Sequence, residues 1–101
     1  MTKLACKMQI LQIEHKVSNY DNWKKAFDSD PLNRKKMGVK RCQVYRQEDD
    51  PDNVIIDLYF DRAENLKATL VVLQNLWKKV DGTIIFNVKT RVLDIKEIID
   101  L

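Results

Sequence analysis

Glycine and proline occur only twice each in 101 residues, which argues against collagen-like, low-complexity and loop-dominated chains. Two glycines also leave no glycine-rich loop to cradle a nucleotide phosphate. The lone histidine, His15, supplies too few ligands for a transition-metal site, and its neighbour Glu14 points to the other side of a strand. Cys6 and Cys42 have no metal-type spacing and form no C-x-x-C. Two such thiols fit a reducing cytoplasmic compartment, where buried free cysteine behaves as a small hydrophobe. No G-x-S-x-G and no Ser-His-Asp spacing is present. The acidic run Glu48-Asp49-Asp50-Pro51-Asp52 lacks the spaced ligands and glycine of a calcium loop.

Charge of one sign is lacking too. Eighteen basic residues against fifteen acidic ones leave +3, with the signs interspersed. The clusters Arg34-Lys35-Lys36, Lys40-Arg41 and Lys78-Lys79 are short enough to be a solvated surface, and the aromatic pattern of an RNA-reading sheet is missing. No nucleic-acid partner is expected. No apolar run is long enough to span a membrane. Nor does an apolar stretch separate Lys3 and Lys7 from a cleavage site, so no export signal is expected. Residues 1–7 are expected to fray, ahead of a single domain over 8–101.

What is present is enough for one core, 45% apolar residues with 33% charged. The hydrophobic period then changes along the chain. Residues 8–17 alternate as a strand, with Leu11, Ile13, His15 and Val17 on one face. From Tyr20 the spacing turns helical, placing Tyr20, Trp23 and Phe27 on one stripe, with Ser18 or Asn19 as cap. Asp30-Pro31 breaks that helix, and a further turn through LNRKKM ends at Gly38. Residues 39–47 and 53–60 form two more strands around a proline turn at Asp50-Pro51-Asp52-Asn53. Asp61-Arg62-Ala63-Glu64 resembles a capping box. It opens a helix whose stripe is Leu66, Leu70, Leu73, Trp77 and Val80, stopped by Asp81-Gly82. Residues 84 to about 96 are a long last strand.

The order β-α-β-β-α-β predicts an α+β, ferredoxin-like domain: a four-stranded antiparallel sheet with both helices on one face. The other face carries Ile10, Ile55 and Tyr59 among polar groups and has no cover of its own. A second copy packed sheet to sheet is therefore expected, a homodimer bridged by the last strand.

Several runs carry a family resemblance. They are His15-x-Val17-x-x-Tyr20-x-x-Trp23-x-x-x-Phe27-Asp28, then Arg34 and Gly38, VYR at 44–46 and VIIDLYFD at 54–61. Over about residues 8–96 the chain resembles the dimeric α/β-barrel superfamily that includes the antibiotic biosynthesis monooxygenase-like proteins. The resemblance implies a barrel of two sheets face to face, with small molecules bound between each sheet and its own helices. It implies no metal or organic cofactor. Haem degradation would call for an asparagine on the first strand and a tryptophan and a histidine on the second helix. Gln9 and Gln12 stand on the first strand, and the second helix has Trp77 without a histidine.

Within that frame His15 faces the helix side and has two readings. It is either a half-buried histidine satisfied by a local partner, or a general base working near neutrality. Tyr20, Trp23 and Phe27 are explained by helical packing, and one of them can also wall a ligand site, as can Trp77. Tyr45 and Arg46 face opposite sides, and the register decides which faces the pocket. Tyr45 is the candidate to orient a substrate oxygen. Arg34 either reaches an anionic ligand group or anchors the connector. Asp57, inside an apolar strand, needs a partner, with Arg41, Arg46, Lys89 and Arg91 as candidates on neighbouring strands or in the other subunit. The functional expectation is a non-catalytic domain that binds a small apolar or aromatic ligand. Its alternative is a cofactor-independent monooxygenase-like or cyclase-like enzyme acting on an aromatic or enolic substrate, with His15 as base.

Overall fold

The computed structural model describes residues 8–80 and 84–101. The expected frayed segment 1–7 with Cys6, the side chain of Val80 and the Asp81-Gly82 stop lie outside the described residues. The elements run β1 (Gln9–Val17), α1 (Tyr20–Asp28), β2 (Arg41–Gln47), β3 (Asp50–Phe60), α2 (Ala63–Val80) and β4 (Ile85–Asp94). The four strands form one sheet in the order β2-β3-β1-β4, and every neighbouring pair is antiparallel. It is an α+β domain.

Alternation in β1 and β3 builds the core. Leu11, Ile13 and His15 face Leu58, Ile56 and Val54 in register, Val17 faces Ile85 of β4, and all are buried with Phe60. Trp23 of α1 and Leu66 and Leu73 of α2 close over that face, with Leu70 and Trp77 packed beside them. The α2 stripe therefore packs as its spacing implies. Thr69 joins it fully buried, its hydroxyl donating to the Asn65 carbonyl at 2.8 Å.

Local chemistry explains the boundaries. Asn19 caps α1, its Oδ1 accepting the Asn22 N–H at 3.0 Å. Asp30, at φ 53°, takes the left-handed conformation that ends the helix, and Pro31 prevents its resumption. Gly38, at φ 94°, closes the connector beneath α2.

Three expectations are corrected here. Pro51 lies inside β3, which begins at Asp50, and the turn is Glu48-Asp49 instead. β1 pairs with β3 only as far as Asn53, so the missing proline N–H breaks no β1–β3 pair, and a register shift at Arg46/Gln47 absorbs the bend. Asp61 is not the α2 cap. The Arg62 carbonyl accepts the first helical N–H groups, from Asn65 and Leu66, while Asp61 pairs with Lys40 at 4.0 Å. Last, β4 is shorter than expected and carries a bulge at Asn87, at φ 58°, where its pairing with β1 shifts.

Candidate functional site

Between the sheet and its helices lies a cavity of about 210 Å³. Its floor is Ile13, His15, Ile56 and Leu58, its walls are Trp23 and Phe27 of α1 and Leu73, Leu76 and Trp77 of α2, and the connector supplies Asp30 to Leu32 and Arg34. Aliphatic and aromatic surface dominates, and three ionisable side chains, those of His15, Asp30 and Arg34, reach it.

His15 is buried, with 3% of its surface exposed. Its Nδ1 lies 3.2 Å from the Lys16 carbonyl oxygen. A carbonyl only accepts, so Nδ1 carries the hydrogen and the neutral ring leaves the Nε2 lone pair available. Burial pushes the imidazole below its usual value, partly opposed by that same hydrogen bond. Among the described residues no hydrogen bond engages Nε2, and no side-chain polar atom is both fully buried and unpartnered. Nε2 therefore keeps some accessible surface, on a side chain that lines the cavity. The Trp23 ring meets the imidazole edge-on at 5.5 Å and stacks on Phe27 at 5.1 Å, which holds both side chains in place.

Arg34 does anchor the connector. Its Nη1 donates to the Phe27 carbonyl at 3.1 Å, Nε lies 3.3 Å from the Asp30 carboxylate, and the guanidinium sits 4.1 Å over the Phe27 ring. Asp30 in turn accepts the Arg34 backbone N–H at 3.0 Å. These contacts fix Arg34 at the cavity wall with 23% of its side chain exposed.

The structure thus brings together His15, Trp23, Arg34 and Trp77. It does not bring Tyr45 to them. The pairing Tyr45↔Ile55 and Arg46↔Val54 puts Tyr45 on the open face and Arg46 on the helix side, over Tyr20 at 4.1 Å. Asp57 is corrected with it. Within the subunit its carboxylate accepts from Gln12 Nε2 at 2.9 Å and from the Tyr45 hydroxyl at 3.0 Å, not from an arginine or lysine of a neighbouring strand. Burial, then the Asp57 contact, raises the Tyr45 hydroxyl above its usual range. The network continues from Gln12 to Arg91, to Glu14 and to Asn53, so polar groups cross the open face already paired.

Asp30 and Leu76 line the cavity without having been singled out for it from sequence, whereas Phe27 was read with Trp23 and Tyr20 as a packing side chain able to wall a ligand site. Leu76 lies off the α2 stripe, and at Asp30 the readable signal was the Asp30-Pro31 break. Among the described residues no group of three His, Cys, Asp or Glu side chains is placed to hold a metal ion, and no helix is long and apolar enough to cross a membrane. Cys42 is a free thiol, half-buried, with burial raising its ionisation above the usual value. Compared with protein-family models and with curated proteins, the chain gives no match.

Proposed function

We propose that this chain is a ferredoxin-like subunit of a dimeric α/β barrel whose cavity binds one small, mostly apolar aromatic molecule. The observation that carries the binding reading is the cavity itself, open space against His15 where a packed core would be filled. An aliphatic cavity of about 150 Å³ takes up benzene. About 210 Å³ leaves room for one ring with a few substituent atoms. The Nε2 lone pair selects a ring bearing a hydrogen-bond donor, such as a phenol or an enol.

The sheet-to-sheet dimer is supported by the open face. Ile10, Ile55 and Tyr59 are only half-covered there, and Leu93 is 38% exposed, while the polar groups between them are paired within the subunit. Burying such a face costs few unpaired hydrogen bonds. Light scattering during gel filtration tests it: twice 11.9 kDa is expected, and a monomer at micromolar concentration overturns the dimer.

One observation favours catalysis over binding alone. A neutral imidazole lining an apolar cavity can take the proton of a bound ligand as a general base, and because burial weakens it as a base it suits acidic phenols and enols. The proton moves to Nε2 and the electron pair stays on the ligand oxygen, leaving an electron-rich anion that can itself supply electrons to an oxidant such as dioxygen. His15→Ala is expected to abolish any such turnover and leave the fold intact.

The first experiment is a thermal-shift series of wild type, His15→Ala and Leu76→Trp against phenols, quinones, enolic acids and haem. A ligand at a hundredfold over its Kd adds about 2.7 kcal/mol, a shift of roughly 10 °C or more for a domain this size. A shift lost in both variants supports the cavity as the site. A shift that survives Leu76→Trp, which fills the cavity, overturns it.

A further inference from the structure

The geometry points to Arg34 as an anion-reading residue, so that the ligand of this cavity is an aromatic acid whose carboxylate meets the guanidinium while its ring lies among Trp23, Phe27 and Trp77. The inference rests on the cavity being a ligand site and adds the charge of the ligand to it.

Three observations carry it. First, Arg34 is a cavity-lining side chain held in place, not a solvated surface cation. Phe27 covers one face of its guanidinium, and the Phe27 carbonyl and Asp30 take Nη1 and Nε. Such fixing removes most of the entropy that a free arginine loses on binding. Second, the contacts that hold it do not exhaust it. A guanidinium has five N–H donors, and among the described residues no hydrogen bond uses either hydrogen of Nη2. Nη2 can give a carboxylate one charge-assisted hydrogen bond, and the parallel second bond of a fork comes from a neighbouring N–H of the same guanidinium. Third, the remaining wall is aromatic and aliphatic, so a bound ring covers part of the pair and lowers the local dielectric that weakens it. Among the described residues that line the cavity, Asp30 is the resident competitor. Its carboxylate lies 3.3 Å from Nε and lowers the field that a ligand anion feels.

Asp30 also supplies the discriminating test. If Arg34 is only an anchor, Asp30→Asn loosens the connector and weakens every ligand alike. If Arg34 reads an anion, Asp30→Asn removes the negative charge beside the guanidinium while keeping Oδ1 in place, so anions bind more tightly. Asparagine tolerates the left-handed backbone at φ 53° and its Oδ1 still accepts the Arg34 backbone N–H.

Benzoate and benzamide, which share a shape and differ in charge, are the probes, with phenol as the neutral reference. Trp23 and Trp77 line the cavity, so quenching of tryptophan emission reports occupancy. In wild type benzoate is expected to bind at least tenfold more tightly than benzamide, with the ratio shrinking as salt is raised. Asp30→Asn should raise the ratio further, and Arg34→Met should bring it to about one. Equal binding of the two probes in wild type, or a ratio lowered by Asp30→Asn, overturns the role of Arg34. Because phenol binding is measured alongside, that failure leaves the cavity reading standing. No binding of any of the three probes ends both. Should Arg34→Met fail to fold, the Asp30→Asn comparison decides by itself.

Discussion

Gly38→Ala tests how the connector that walls the cavity is held. Gly38 sits at φ 94°, and a Cβ there would lie 2.5 Å from Asn65 Nδ2, 2.9 Å from its Cγ and 3.1 Å from its Cβ. Two costs follow. The backbone must keep a conformation that disfavours L side chains by about 1–2 kcal/mol. The Asn65 side chain must also swing away from its place on α2, which adds about 1 kcal/mol of rotamer strain. The sum, about 2–3 kcal/mol, lowers Tm by roughly 10–20 °C in a domain of this length. Asn65→Ala removes the two nearest atoms and leaves only the contact at 3.1 Å. The double variant should therefore recover the steric part and retain the backbone part. Urea unfolding of the four proteins in this cycle gives both terms. A Gly38→Ala protein as stable as wild type would refute the reasoning. Additive losses would show that the backbone acts alone.

Three further outcomes are expected. Asn19→Ala removes the side-chain oxygen that caps α1 and should cost about 1 kcal/mol in urea unfolding. Leu11→Ala empties a fully buried position at the centre of the sheet and should cost about 2–5 kcal/mol, with no collapse of neighbouring strands to soften it. The third concerns pH. Unfolded His15 takes up a proton near 6.5, while the buried ring resists it, so acid favours the unfolded chain. Stability is complete above 6.5 and falls as pH drops through that value, with a slope of at most about 1.4 kcal/mol per pH unit. His15→Leu should flatten that segment, measured down to about pH 5, where carboxylates such as Glu14, lowered chiefly by its Asn53 hydrogen bond, still hold their charge. An unchanged slope in the variant would remove His15 as its cause.

Period and punctuation in the sequence determined the elements and their faces. Leu11-x-Ile13-x-His15-x-Val17 put the histidine on the helix side because side chains in a regular strand alternate. The four- and three-residue steps of α2 put Leu73 and Trp77 over it for the equally local reason of helical pitch. Asn19, Asp30 and Gly38 likewise acted through their own backbone and nearest neighbours. Parity within β2 was legible as well, since Tyr45 and Arg46 had to face opposite ways.

Which way each faced was decided by tertiary structure. β2 is an edge strand whose residues, RCQVYRQ, are mostly exposed or half-buried, so no apolar alternation pins its phase. Pairing with Ile55 and Val54 settled it and moved Tyr45 away from the cavity, beside Asp57. The partners of Asp57 come from strands 12 and 45 residues away, a separation that no local pattern encodes. The cavity is likewise a property of packing. Sequence named four side chains that line it, but empty volume is what remains after β1, β3, α1, α2 and the connector have each taken their distance from one another.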